Sequence, residues 1–267
     1  MIQFQFKPHK VYPEFYDKCS RTGVLRYKKA ELREYGETYF MEEYESQYKK
    51  TYYEDEAPLR QMAKRRLGEI CKLGIHPQNS KLLEIGSAAG FFLDEAKQMG
   101  FVTQGFELSE REVEYSRTKF GLNVEKKSVL DIPVSEYQNS FQVISAYFVV
   151  EHIQDIVGIW ERLCKWLTPG GVLSLAVPSS FGPSFQTNPD HWFETHPSDH
   201  FFDYDIHSLK KLLSMLGFGL KYGRPMSYHP KRDLGLRGNF PKWLYQSYAN
   251  SFCYGDTIEV AAKKYNL

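Results

Sequence analysis

The sequence predicts an α/β domain with a mainly parallel sheet covered by helices on both faces. Three observations predict it. Short apolar runs alternate with stretches whose apolar residues recur at helical spacing, from about residue 57 to 265. Residues that start and stop helices fall between these runs. The 267 residues, 42% hydrophobic and 25% charged, suit one large α/β domain with an extension, or two small domains.

The elements follow in order. Residues 57 to 74 read as a helix, with Pro58 in the first turn and Gly74 at the end. "KLLEIG" is a buried strand, and "GFFLDEAKQMG" is a helix that stops at Gly100. "FVTQGFE" is the second strand. "SEREVEYSRTKFG" is a helix opened by Ser109 with Glu112 three residues later, the pattern of a capping box. "LNVEKKS" and "FQVISAYFVV" are the third and fourth strands. "DIVGIWERLCKWLTPGG" is a helix from Asp155 to Pro169, and "VLSLAVPS" is the fifth strand. "DIHSLKKLLSMLGFG" is a helix capped by Asp205, with Gly217 after its end. "LKYGRPMSY" and "DTIEVAAKKY" are the last strands, separated by a long loop from about 229 to 255.

Residues 1–56 read as a separate aromatic-rich extension, and 57–267 as the domain proper. Nine of the nineteen tyrosines lie in the first 54 residues. Met41, Tyr44, Tyr48 and Tyr52 fall on one face of a helix, with charges elsewhere. Such a stripe either packs against the domain or forms a lid over a ligand.

Composition excludes several function classes. Thirty-four Lys plus Arg nearly cancel 33 Asp plus Glu, so no basic field for nucleic acid is expected. The four cysteines are far apart and form no C-x-x-C pair, which argues against a zinc ribbon and fits a reducing compartment. No apolar run approaches the roughly 18 residues of a membrane span. The start, "MIQFQFKPHK", lacks the apolar core of a signal peptide. A cytoplasmic location is expected. The sequence leaves the oligomeric state open.

In a parallel sheet, ligands bind beyond the carboxyl ends of the strands. The first strand ends there in "EIGSAAG", Glu84 to Gly90, and runs straight into a helix. Gly86 and Gly90 permit a tight turn and close approach of a ligand, and the helix start attracts an anionic group. Glu107 closes the second strand, where an acid accepts hydrogen bonds from both hydroxyls of a ribose. Together these point to a nucleoside-containing cofactor. The dinucleotide fingerprint G-x-G-x-x-G is absent, because Ala88 stands between the two glycines, which disfavours a nicotinamide-dependent oxidoreductase.

The motif resembles that of the class I S-adenosylmethionine-dependent methyltransferases, an acid followed by G-x-G-x-G, departing only at Ala88. The resemblance extends over 57–265 and includes Glu107, "VLDIP", "VVEHIQD" and "LTPGGVLSLAVPS". It implies a Rossmann-like, seven-stranded, mostly parallel sheet with an antiparallel last strand. The late "H..FFD…SLKKLLSMLGF" resembles the small-molecule branch of quinone, sugar and natural-product enzymes. The cofactor implied is S-adenosylmethionine. Gly86, Ser87 and Ala88 would meet its methionine end, Glu84 its amino group, and Gly90 would complete the cofactor-binding turn. Glu107 would take the ribose, Asp131 the adenine amino group, Leu108 and Ile132 the adenine faces. Tyr147 would stand near the sulfonium. Phe91 and Phe92 read either as core or as aromatic faces beside it. In quinone-synthesising relatives an E-x-x-E-H stretch accompanies a divalent metal. Here it reads "FVVEH", with Phe148 for the first acid, so no metal is expected.

The reaction expected is methyl transfer to a small hydroxylated acceptor such as a sugar or phenol. A protein or RNA methyltransferase and a non-catalytic cofactor-binding module are the alternatives. An oxygen acceptor must lose a proton, and His152 is the candidate base. It lies just before the helix starting near Asp155, where the helix N-terminus would keep its ring neutral. Alternatively it only binds backbone at the strand end. Four of the eight histidines fall in "HWFETHPSDHFFDYDIH", residues 191 to 207. Trp192, His196 and His200, with Tyr48, are candidates for the acceptor site, and His196 or His200 is an alternative base. His196 and His200 would share a helical face, but zinc wants three or four protein ligands and no cysteine is near. His207 falls in the next helix, in a structural position.

Overall fold

The computed structural model of the protein describes residues 3–32 and 49–266. Two sheets form among the described residues. The larger has seven strands: β4 (Lys81–Ile85), β5 (Val102–Glu107), β6 (Val124–Lys126), β7 (Phe141–Tyr147), β8 (Leu167–Pro178), β10 (Phe218–Pro225) and β11 (Thr257–Lys264). Their order is β10-β11-β8-β7-β4-β5-β6. β4 pairs in parallel with β5 and β7, and β5 with β6, while β10 and β11 run antiparallel to each other. Strand order reverses between β4 and β7, the switch at which ligands bind in such sheets. Central strands are apolar on both faces, as burial on both sides requires. Leu82, Leu83, Val143, Ile144, Leu173 and Leu175 are fully buried. The fold class follows the sequence.

Among the described residues the helices are α1 (Glu56–Lys72), α2 (Phe91–Gln98), α3 (Glu110–Phe120), α4 (Ile156–Trp166), α5 (Pro183–Thr187), α6 (Pro189–Glu194), α7 (Ile206–Met215) and α8 (Lys242–Phe252). Local chemistry accounts for their ends. Ser109 Oγ accepts the Glu112 N–H at the start of α3. Asp205 and Ser208 form a reciprocal capping box at the start of α7. Gly74, Gly100 and Gly217 take left-handed backbone after helices, as helix-stop glycines do. No helix among the described residues is long and apolar enough to cross a membrane.

Four details differ from the sequence reading. The helix expected to reach Pro169 ends at Trp166, and Leu167 already belongs to β8. Proline has no N–H to donate and drives the residue before it toward extended backbone. The fourth strand stops at Tyr147, because Phe148 adopts a left-handed φ of 58°. The expected loop of 229–255 contains α8, whose Tyr245 and Ala249, one turn apart, supply a buried face. Residues near the N-terminus form three strands: β1 (Phe6–Pro8), β2 (Tyr16–Cys19) and β3 (Leu25–Tyr27). With β9 (Phe202–Asp203) they make the second sheet, ordered β1-β2-β3-β9.

The chain forms two compact units. One comprises Met1–Leu32, Tyr147–Trp160 and Leu175–Tyr265, the other Arg33–Ala146, Glu161–Ser174 and Asn266–Leu267. The tyrosine stripe at Met41, Tyr44 and Tyr48 lies outside the described residues. Its last member, Tyr52, stacks on Phe91 with ring centroids 5.4 Å apart.

Candidate active site

In the unit holding β4–β6, the chain leaves β4 through a run of left-handed residues. Gly86 has φ 70°, Ala88 φ 44° and Gly90 φ 83°. Glycine adopts these angles freely, whereas alanine at 88 carries a strain of about 1 kcal/mol. Gly90 has a second reason to be glycine: a Cβ there would stand 2.6 Å from Leu122 Cδ1. Phe91 and Phe92 behind the turn are buried, which places them in the core.

Two buried side-chain atoms at this turn have no hydrogen-bond partner, Glu84 Oε2 and Ser87 Oγ. Burial raises the Glu84 pKa well above the usual carboxylate value; Arg66 opposes the rise and Glu107 adds to it. Glu107 is held differently. Its Oε2 accepts the Ala88 N–H at 2.8 Å, and its Oε1 accepts those of Leu108 at 2.7 Å and Ser109 at 3.0 Å. The last two amides precede α3. Three backbone donors thus fix the carboxylate and tie the first loop to the second. A carboxylate has about four lone-pair sites, so one on Oε2 stays open.

The next strand end supplies Asp131 and Ile132. Asp131 closes a short 3-10 turn and is exposed, while the Ile132 side chain is fully buried. Arg162 fixes this segment by donating to the carbonyls of Leu130 at 2.7 Å and Ile132 at 3.0 Å. Leu108 is exposed. Tyr147, half-buried, is the last residue of β7.

In the other unit, the histidine-rich stretch does not form one helix. α6 ends at Glu194, and His196 and His200 lie in turns beyond it. His196 Nδ1 lies 2.9 Å from the Pro197 carbonyl, and its Nε2 lies 2.9 Å from Asp203 Oδ2. Tyr16 donates to the same Asp203 oxygen at 2.6 Å, and the Trp192 indole N–H donates to Tyr16 Oη at 2.9 Å. Burial opposes the His196 imidazolium, but Asp203 outweighs it and raises the pKa. Trp192 and His196 are therefore members of a buried polar network. Phe193 stacks on Phe15 at 3.9 Å, and His207 packs edge-on to Phe181.

His152 belongs to the same region, with Nδ1 at 3.2 Å from Asp199 Oδ2. The separation is that of an ion pair, without the alignment of a hydrogen bond. The expectation that its ring is kept neutral needs correction. Burial does act that way, yet Asp199 and Glu151 outweigh it and raise the pKa. His200 stands edge-on to His152, with ring centroids 4.5 Å apart. Burial, with a smaller contribution from the neighbouring His152, lowers its pKa to about 3 and keeps that ring neutral. Glu151 is fully enclosed, its two oxygens have no hydrogen-bond partner, and burial raises its pKa to about 7.

Sequence reasoning missed four residues: Tyr16, Glu151, Asp199 and Asp203. Glu151, Asp199 and Asp203 stood inside the motifs read from the sequence, but nothing local marked them as buried. Tyr16 and Asp203 are 187 residues apart. Tyr48 lies outside the described residues.

Residues 57–221 match the family model described as a methyltransferase domain, more than half of the chain. The chain belongs to the S-adenosylmethionine-dependent methyltransferases. A ubiquinone biosynthesis O-methyltransferase of Sinorhizobium fredii is 28% identical over 100 residues, 36% of this chain and 40% of that protein. The chain thus matches about two fifths of the length of this curated relative. A solved S-adenosylmethionine-dependent methyltransferase from Archaeoglobus fulgidus aligns with TM-score 0.55 and 18% identity, covering 85% of this chain and 99% of that one. Phosphoethanolamine N-methyltransferase 2 of Haemonchus contortus aligns with TM-score 0.54 and 14% identity, covering 76% and 53%. Both likenesses are of fold.

The residues of this methyltransferase suit its cofactor. Glu84 presents a buried oxygen without a hydrogen-bond partner, which is able to accept from an amino group. Glu107 keeps an open site for a hydroxyl. Phe148, exposed, offers no metal donor three residues before Glu151.

Proposed function

We propose that the protein transfers a methyl group from S-adenosylmethionine to an oxygen of a small hydroxylated acceptor. Glu84, Gly86, Ser87, Ala88 and Gly90 hold the methionine end. Glu107 binds the ribose, Leu108, Asp131 and Ile132 the adenine, and Tyr147 stands beside the sulfonium. The cofactor supplies a methyl group on a positively charged sulfur, which is already a good leaving group. The protein's part is to align the acceptor, exclude water and take the acceptor's proton. His152 takes that proton, and Asp199 at 3.2 Å stabilises the imidazolium that results. Trp192, His200 and Tyr48 are assigned to the acceptor side, and His196, both of whose ring nitrogens are engaged, to positioning that side through Asp203. The quinone O-methyltransferase relative favours oxygen as the atom methylated.

The observation that carries the reading is the Glu84–Glu107 arrangement: an unpartnered buried acid beside a turn that a second carboxylate closes through Ala88. Calorimetric titration with S-adenosylmethionine should show binding at one site, and NAD should show none. A screen of hydroxylated metabolites with mass detection should then return a methylated product. On that acceptor His152→Ala should lower kcat about 100-fold or more while cofactor affinity holds. A variant at full rate removes His152 from the reaction, and failure to bind the cofactor removes the whole reading.

A further inference from the structure

We propose that His196, His200 and Asp203 form a binding site for one divalent transition-metal ion of the zinc class. One donor atom from each of the three lies within 4.8 Å of the others. The Asp203 and His196 side chains are fully enclosed. Two donors on one tetrahedral zinc ion, each about 2.1 Å from it, stand about 3.4 Å apart. His196 Nε2 and Asp203 Oδ2, now 2.9 Å apart, need to separate by only about 0.5 Å to share an ion. Asp203 Oδ1, equally buried, has no hydrogen-bond partner and is a second oxygen for the ion.

The surroundings are those of a metal site. A ligating imidazole usually donates its other N–H to a carbonyl or carboxylate, which fixes its tautomer. His196 Nδ1 does so to Pro197 O at 2.9 Å. A ligating carboxylate is usually held by a further donor. Tyr16 holds Asp203 at 2.6 Å and is itself held by the Trp192 indole. Glu151, fully enclosed and without a hydrogen-bond partner, has an oxygen within 4.8 Å of a His200 ring nitrogen. Two imidazoles and one carboxylate select zinc, cobalt or ferrous iron over magnesium, which prefers oxygen. In the metal-free state a proton takes the ion's place between His196 and Asp203. The sequence placed His196 and His200 near one another but lacked a third ligand. Asp203 provides it.

Glu151 and His152 form a neighbouring trio with the same His200, so the test must separate the two. The full chain is stripped with a chelator, then titrated with zinc alone and with cobalt alone. One equivalent should bind, with proton release, and excess magnesium should not displace it. His196→Gln, His200→Gln and Asp203→Asn should each weaken zinc binding about 100-fold or more, exceeding the usual loss from outer-shell changes. Glu151→Gln and His152→Gln should stay within about tenfold. If Glu151 and His152 carry the loss while Asp203→Asn binds as before, the ion belongs to the other trio and the proposal falls. It also falls if magnesium displaces zinc, or if the parent binds zinc no better than His200→Gln. Should the Asp203 variant not fold, the visible spectrum of cobalt decides. Intense bands of low-coordinate cobalt that His196→Gln removes and His152→Gln keeps support the site, and the pale spectrum of hydrated cobalt, or intense bands that survive His196→Gln, overturns it.

Discussion

Glu107 and Asp203 are both carboxylates held in fixed positions, but by different means. Glu107 is held by backbone amides one, two and nineteen residues away. Asp203 is held by side chains, His196 seven residues away and Tyr16 187 residues away. Amides belong to every residue except proline, so Glu107 needs only the turn and the helix start, both of which local sequence specifies. Asp203 needs particular side chains brought from distant segments. The first arrangement survives changes in its neighbours' side chains. The second fails when one partner is lost.

Substitutions can break or sharpen this contrast. Asp203→Asn should have the largest effect on stability, about 3 kcal/mol, because it leaves a buried imidazolium without its counter-charge. Urea unfolding measures it, and a loss below about 1 kcal/mol would mean that the network is not a buried ion pair. Glu107→Ala should leave the fold in place yet weaken S-adenosylmethionine binding about 100-fold, since charged hydrogen bonds are removed. Calorimetry reads that change, and a threefold loss would dissociate Glu107 from the ribose.

Glu84→Gln sharpens the comparison within the cofactor turn. The folded-state pKa of Glu84 is raised above its usual 4.5, so its contribution to stability is full below that value and fades as pH rises. The glutamine variant lacks this loss and should unfold at a higher temperature at pH 7. Its affinity for S-adenosylmethionine should be weaker and should no longer climb with pH. A variant less stable at pH 7 would show instead that the ionised form is the one the fold prefers. Ala88→Gly should have the smallest effect. It relieves the left-handed alanine but adds freedom to the unfolded chain, for a net gain of about 0.5 kcal/mol. The thermal midpoint would rise slightly, and a fall would show that the alanine methyl packs usefully.

The same contrast explains what the sequence made legible. "EIGSAAG", Glu107 and the strand alternation carry their information within short windows, and the seven-stranded sheet followed from them. The Ser109 and Asp205 caps were readable for the same reason. β1–β3 were not, because three short strands gain stability only by pairing with each other and with Phe202–Asp203. α8 was hidden by a segment rich in polar and aromatic residues around "KWLYQSYANSF". For the histidines, the sequence gives their density but not the direction of their rings. His152 was assigned a neutral ring from its nearness to a helix start, yet Asp199, 47 positions on, governs it instead.

The pairing of β3 with β9 has a consequence for biosynthesis. A ribosome adds about 5–20 residues per second, so Tyr16 leaves it roughly 10–40 s before Asp203, 187 residues later, is made. Through that interval the hairpin of β2 and β3 lacks its last strand, with an open edge that invites pairing with other chains. Charged residues line that hairpin, Lys18 and Arg26 among them, and Arg26 pairs with Asp17 at 2.7 Å across its strands. Charge along an unpaired edge deters such pairing, so the nascent chain carries its own protection until its partner is synthesised.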